Sequence, residues 1–119
     1  MNARIEDVRR SRRRRVEGRI EVFDGMTEAP IGQLGNLSES GLLLLASAPL
    51  QDDCLYQLRF VLPDLFGRPV TFEVGAHLLW VNPTNPPGQA WMGFRFLSME
   101  DGLVDRLREW IDAPGATYV

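Results

Sequence analysis

The sequence predicts an all-β fold: a small barrel of about six antiparallel strands, followed by one C-terminal helix and preceded by a basic N-terminal arm. Three observations carry this. Short apolar runs with a period of two recur between turn signals from Val16 onward. A helical period appears only once, near the C-terminal end. The charge is split, with a basic arm ahead of an acidic body.

Residues 1–15 show no apolar period and read as an arm. Ile20 and Val22 then alternate with polar residues up to a turn at Asp24-Gly25. Ile31 to Leu37 is a second run. Leu42 to Ala46 is a third, after a turn that ends at Gly41. Pro49 to Asp53 is loop. Tyr56, Leu58, Phe60 and Leu62 face one way, with Gln57 and Arg59 facing the other. Pro63, Asp64 and Gly67 mark the next turn. Val70 to Val81 is the longest run, with Phe72, Val74, Ala76, Leu78 and Trp80 on one parity. After the loop Asn82 to Gly88, Met92, Phe94 and Phe96 alternate with Gly93 and Arg95.

The period then lengthens. Leu103, Val104, Leu107, Trp110 and Ile111 fall at helical spacing. The Ser98 hydroxyl is expected to cap this helix, and Pro114 with Gly115 to stop it. Many short strands with tight turns favour closure into a barrel, because closure removes exposed edges. The expected organisation is an arm over 1–15, a barrel with its helix over 16–112, and a tail over 113–119.

Composition excludes several classes. The 119 residues are enough for one domain with its own core. With one Cys there is no internal disulfide, and the chain suits a reducing compartment. One His and one Cys cannot supply an ordinary four-ligand zinc site. Residues 74–94 lack charge, but Asn and Pro residues interrupt them, so they do not read as a membrane span. No signal-peptide pattern opens the sequence. A soluble, cytoplasmic protein is the expectation, monomeric by default.

All 13 basic residues are Arg. Residues 1–19 hold eight Arg against three acids, or +5, and residues 20–119 hold five Arg against 13 acids, or −8. In Arg9-Arg10-Ser11-Arg12-Arg13-Arg14-Arg15 the like charges repel and build no core. Alone, such a run reads as a solvated tail or an anion clamp. Arg rather than Lys favours nucleotides, because its planar fork grips phosphate or a guanine edge at two points and stacks on bases. Asn36-Leu37-Ser38-Glu39-Ser40-Gly41 reads alone as a turn. Its Asn and Ser would bond local backbone, and Gly41 would supply a positive φ.

Together these two pieces resemble the signature of the PilZ domain family, receptors for the bacterial second messenger cyclic di-GMP. That signature is RxxxR in an N-terminal arm, followed by [D/N]xSxxG. Asn36, Ser38 and Gly41 fill the second motif. The first fits as Arg9 with Arg13 or as Arg10 with Arg14. Arg9 and Arg13 are preferred, since the resemblance implies two residues between the second motif Arg and a Val leading into the first strand, here Val16. Ala76 to Val81, Met92 to Leu97 and the helix also resemble the family's later elements. The resemblance covers roughly residues 9–112 and implies a six-stranded, split-type barrel with a terminal helix.

It also implies a non-enzymatic receptor. Arg9 and Arg13 would contact phosphate and guanine, with Arg10 and Arg14 substituting or adding contacts. Asn36 would meet a guanine edge, Ser38 would shape the loop, and Gly41 would let the backbone turn beneath the ligand. Trp80 is the candidate for stacking on guanine, although its parity places it with the core. Ligand would order or reposition the arm and pass the signal to a partner protein. No cofactor, metal, membrane insertion or long nucleic acid is expected. Two alternatives stand beside this: a basic-armed barrel that binds RNA or DNA, and an adaptor of PilZ type that works by protein contact alone.

Overall fold

The computed structural model describes residues 12–119. Its strands are β1 (Arg14–Arg15), β2 (Glu21–Asp24), β3 (Pro30–Leu37), β4 (Gly41–Ala46), β5 (Leu55–Pro63), β6 (Pro69–Pro83) and β7 (Ala90–Ser98). One helix follows, α1 (Asp101–Asp112). All pairings are antiparallel, in the order β3-β2-β5-β6-β7-β4, and β4 pairs back onto β3. Six strands thus close a barrel, as the alternating runs predict. The seventh, β1, is a two-residue addition. It pairs Arg14 with Leu37 and Arg15 with Asn36, so the inner end of the expected arm is a strand.

Closure leaves an interior filled by one parity of each strand. Leu58, Phe60 and Leu62 of β5 are buried there with Phe72, Val74, Ala76 and Leu78 of β6. Phe60 and Phe72 are register partners whose rings stack 5.4 Å apart. Leu42, Leu44 and Ala46 of β4 meet Met92 and Phe94 of β7. Helix α1 brings Leu107, Trp110 and Ile111 into the same core. Its helical stripe could be buried only by covering the barrel.

The start of the helix differs from expectation. Glu100 is the N-cap and makes no side-chain cap bond. Ser98 cannot serve, because it is still in β7 and pairs with Gly75 of β6. The end agrees. Ala113 is extended, the conformation that the ring of Pro114 imposes on its predecessor.

Two β-bulges bear on the outer surface. In β3, Leu34 pairs with Leu44 but Asn36 pairs with Leu43, which leaves Gly35 as an extra residue. In β6, Leu78 pairs with Phe94 but Trp80 pairs with Gly93, which leaves Leu79 extra. An extra residue shifts parity by one. Leu34 and Leu78 point inward, and strict alternation would send Asn36 and Trp80 inward too. The bulges turn both out of the barrel.

Candidate functional site

The two reversals fall on one line. Asn36 of β3 pairs with Leu43 of β4, Leu43 with Gly93 of β7, and Gly93 with Trp80 of β6. Four neighbouring strands therefore present one transverse row on the outside of the barrel. Arg13, just before β1, closes its β3 end. The result is a groove of about 320 Å³ lined by Arg13, Asn36, Leu43, Leu79, Trp80 and Gly93. That is at the lower end of small-molecule sites, which run from about 300 to 1,000 Å³.

Arg13 donates through Nη1 to Asn36 Oδ1 at 2.9 Å, with a longer contact to the Gly41 carbonyl at 3.5 Å. Desolvation by burial lowers its pKa from the ordinary arginine value, though not enough to discharge a guanidinium. Arg12 pairs with Asp112. Arg13 has no carboxylate partner among the described residues. A partly desolvated cation without a counter-charge is an anion-seeking group.

Trp80 is 45% exposed, which corrects its placement in the core by parity. It lies over Gly93. A Cβ built on Gly93 would come within 2.2 Å of Trp80 Nε1, so only glycine admits the indole. The ring thus walls the groove and is partly open to solvent. Sequence reasoning missed Gly93, Leu43 and Leu79. An isolated Gly within a strand is a signal of close approach, and Met92-Gly93-Phe94 carried it.

Ser38 is fully buried. Its Oγ accepts from the backbone N–H of Ser40 at 3.2 Å and of Gly41 at 3.3 Å. It therefore holds the β3–β4 turn rather than facing the groove. Gly41 does not have a positive φ. Its requirement is different from the expected one: a Cβ there would sit 2.0 Å from the Phe94 carbonyl oxygen, because β7 crosses close beside it. Glu39, within the same turn, accepts from Arg108 Nε at 2.8 Å and raises the pKa of that guanidinium. This ties the turn to α1.

Arg14 faces the other way. It stacks over the Trp110 ring at 4.1 Å and donates to the Trp110 carbonyl. Adjacent residues of an extended segment point to opposite sides, so Arg13 and Arg14 cannot both reach the groove. Arg9 and Arg10 lie outside the described residues. His77 pairs with Asp53 at 2.7 Å and does not line the groove. Among the described residues no cluster of acids, His and Cys could hold a metal, and no helix is long and apolar enough to cross a membrane.

A closed barrel with a terminal helix, carrying an Arg–Asn pair and a partly exposed indole on its outer wall, defines a small barrel of PilZ architecture. The chain belongs to the PilZ domain family, whose model matches residues 7–113. Solved structures agree on the fold. The Bacillus subtilis inhibitor of motility MotI/DgrA superposes with a TM-score of 0.69 at 14% identity, over 84% of this chain and 47% of that one. YcgR from Escherichia coli in complex with c-di-GMP gives 0.64 at 20% identity, over 86% of this chain and 43% of that one. The isolated PilZ domain of YcgR with c-di-GMP gives 0.63 at 18% identity, over 86% and 87%. The chain thus spans about half the length of the first two. A search of curated protein sequences gives no match.

Proposed function

We propose that this protein is a non-enzymatic receptor for cyclic di-GMP. The observation that carries the proposal is the Arg13–Asn36 contact at 2.9 Å in a groove walled by Trp80. The ligand carries two phosphate charges and two guanines. Arg13 supplies a guanidinium fork for phosphate or for the O6/N7 edge of guanine. Asn36 offers an amide to a guanine edge, and the partly exposed Trp80 ring is a stacking surface. Membership of the PilZ family supports the reading, as does the likeness to a fold that holds c-di-GMP in YcgR.

Of the two arginine registers we take Arg9 with Arg13, since Arg14 is engaged with Trp110. Arg9 and Arg10 are assigned on the motif alone. Ligand neutralises part of the arm's self-repulsion and repositions it, which alters the surface offered to a partner protein in the cytoplasm.

Titration calorimetry with cyclic di-GMP tests this. Wild type is expected to bind at micromolar ligand. Arg13→Ala is expected to weaken binding by about 1.5–3 kcal/mol, roughly 10- to 150-fold in Kd, as for loss of a charge-assisted contact. No heat from wild type at tens of micromolar would overturn the assignment.

A further inference from the structure

We propose that residues 117–119 and Arg14 form a clamp that positions Arg13 for the ligand, an inference that rests on the ligand reading above. The expected tail does not stand apart from the barrel. It runs antiparallel to the inner end of the arm. The Arg15 N–H donates to the Thr117 carbonyl at 2.8 Å, and the Val119 N–H donates to the Arg13 carbonyl at 2.9 Å. Arg14 and Tyr118 form the bridge between these two bonds. On its other edge the arm pairs with β3, through Arg14 with Leu37 and Arg15 with Asn36. Residues 13–15 are therefore the middle strand of a three-strand patch. They lie between the strand that supplies Asn36 and a segment beyond the helix.

Side chains reinforce the clamp on one face only. Arg12 stacks over the Tyr118 ring at 4.4 Å and pairs with Asp112. Arg14 stacks over Trp110. The Tyr118 hydroxyl donates to the Ile111 carbonyl at 2.7 Å, which ties the tail back to α1. Arg12 and Arg14 are thereby committed to the helix side. Alternation along the extended segment then turns Arg13 to the opposite side, into the groove with Asn36. The run of four arginines is thus not four equivalent anion contacts. One reaches the groove, and its neighbours on each side hold it there.

This division of roles makes Val119 and Arg14 positioning residues. They lie outside the groove lining, and the bond from position 119 comes from the backbone. Side-chain identity at 119 should therefore matter little, while the N–H should matter. Val119→Pro removes the donor and Val119→Ala keeps it.

The test measures cyclic di-GMP affinity by calorimetry for wild type, Val119→Pro, Val119→Ala, Arg13→Ala and the double variant Arg13→Ala/Val119→Pro. Val119→Pro is expected to weaken binding about three- to tenfold, the scale of one lost backbone hydrogen bond. Val119→Ala, as the conservative rescue, is expected to restore the affinity. In the Arg13→Ala background, Val119→Pro is expected to have no further effect, because its influence runs through Arg13. Equal affinity of wild type and Val119→Pro overturns the clamp. So does an equal loss in both backgrounds, which marks general destabilisation. Binding by none of the proteins, wild type included, overturns the ligand assignment and the clamp with it.

Discussion

Arg13 carries its charge into a half-buried position where its pKa is lowered by desolvation, and Asn36 supplies only a neutral acceptor for it. The neutral partner leaves charge for an anion. Beside it, Trp80 rests on Gly93, and this contact gives a sharp prediction. Gly93→Ala places a Cβ against the indole edge. The ring is exposed enough to swing away, so stability should fall by no more than about 1–3 kcal/mol. Ligand affinity should fall with the lost stacking surface. Thermal melts paired with calorimetry separate the two effects, and unchanged affinity in a folded Gly93→Ala protein would count against Trp80 as a ligand contact. Ser38 behaves oppositely. Ser38→Ala leaves the buried N–H of Gly41 and the more exposed N–H of Ser40 without their acceptor, which is expected to cost about 1–3 kcal/mol. Glu39→Gln, which weakens only a solvent-accessible pair with Arg108, should stay within about 0.5 kcal/mol. Urea melts that rank the two in the reverse order would show the turn to be held by its salt bridge.

The β5–β6 hairpin depends on one carboxylate. Asp64 Oδ1 accepts from the N–H of Phe66 and of Arg68, each at 2.8 Å. These bonds, that of Arg68 foremost, lower the Asp64 pKa. The charged form is the bonded form, so the folded pKa lies below the unfolded one. The contribution is complete above the ordinary aspartate value of about 4 and is lost as pH falls through the folded value. Asp64→Asn should therefore flatten the acid side of the stability profile. Denaturant melts at pH 7 and pH 3 are expected to show a smaller loss for the variant than for wild type. Elsewhere the legibility of the elements follows the same local physics. Alternation placed Leu58, Phe60, Leu62, Phe72, Val74, Ala76 and Leu78 in the core, because a period of two survives wherever the ladder is regular. It failed for Trp80, where a bulge at Leu79 shifts the parity. The helix stripe was legible through Leu107, Trp110 and Ile111. The Ser98 cap was not, because β7 keeps its register with β6 through that residue. Arg13 and Asn36 were legible as motif residues, but the hydrogen bond between them was not. The row that joins Asn36 to Gly93 and Trp80 was not, since it depends on register across four strands.

At the scale of the whole molecule, charge and packing meet at Trp110. The sequence carries +5 over residues 1–19 and −8 over the rest, and the described inner end of the arm crosses from the groove at Arg13 to the helix at Arg14. Trp110 is buried in the core with Leu107 and Ile111, and it also receives the Arg14 guanidinium at 4.1 Å. It is thus shared by the barrel core and the arm. Two substitutions separate these contributions. Trp110→Ala opens a cavity in the core and is expected to cost about 3–5 kcal/mol, a fall of roughly 10–20 °C in Tm for a domain of this size. Arg14→Ala removes the stacking and the hydrogen bond to the Trp110 carbonyl and should cost about 1–2 kcal/mol. Scanning calorimetry of both variants reads the ratio. A similar, small loss in each would mean that α1 is not seated in the core, and the arm would then have no fixed surface to lean on. A large loss for Trp110→Ala with a small one for Arg14→Ala identifies the helix as the foundation of the fold. Arg14 is then a light attachment to it, which orients the arm more than it stabilises the fold.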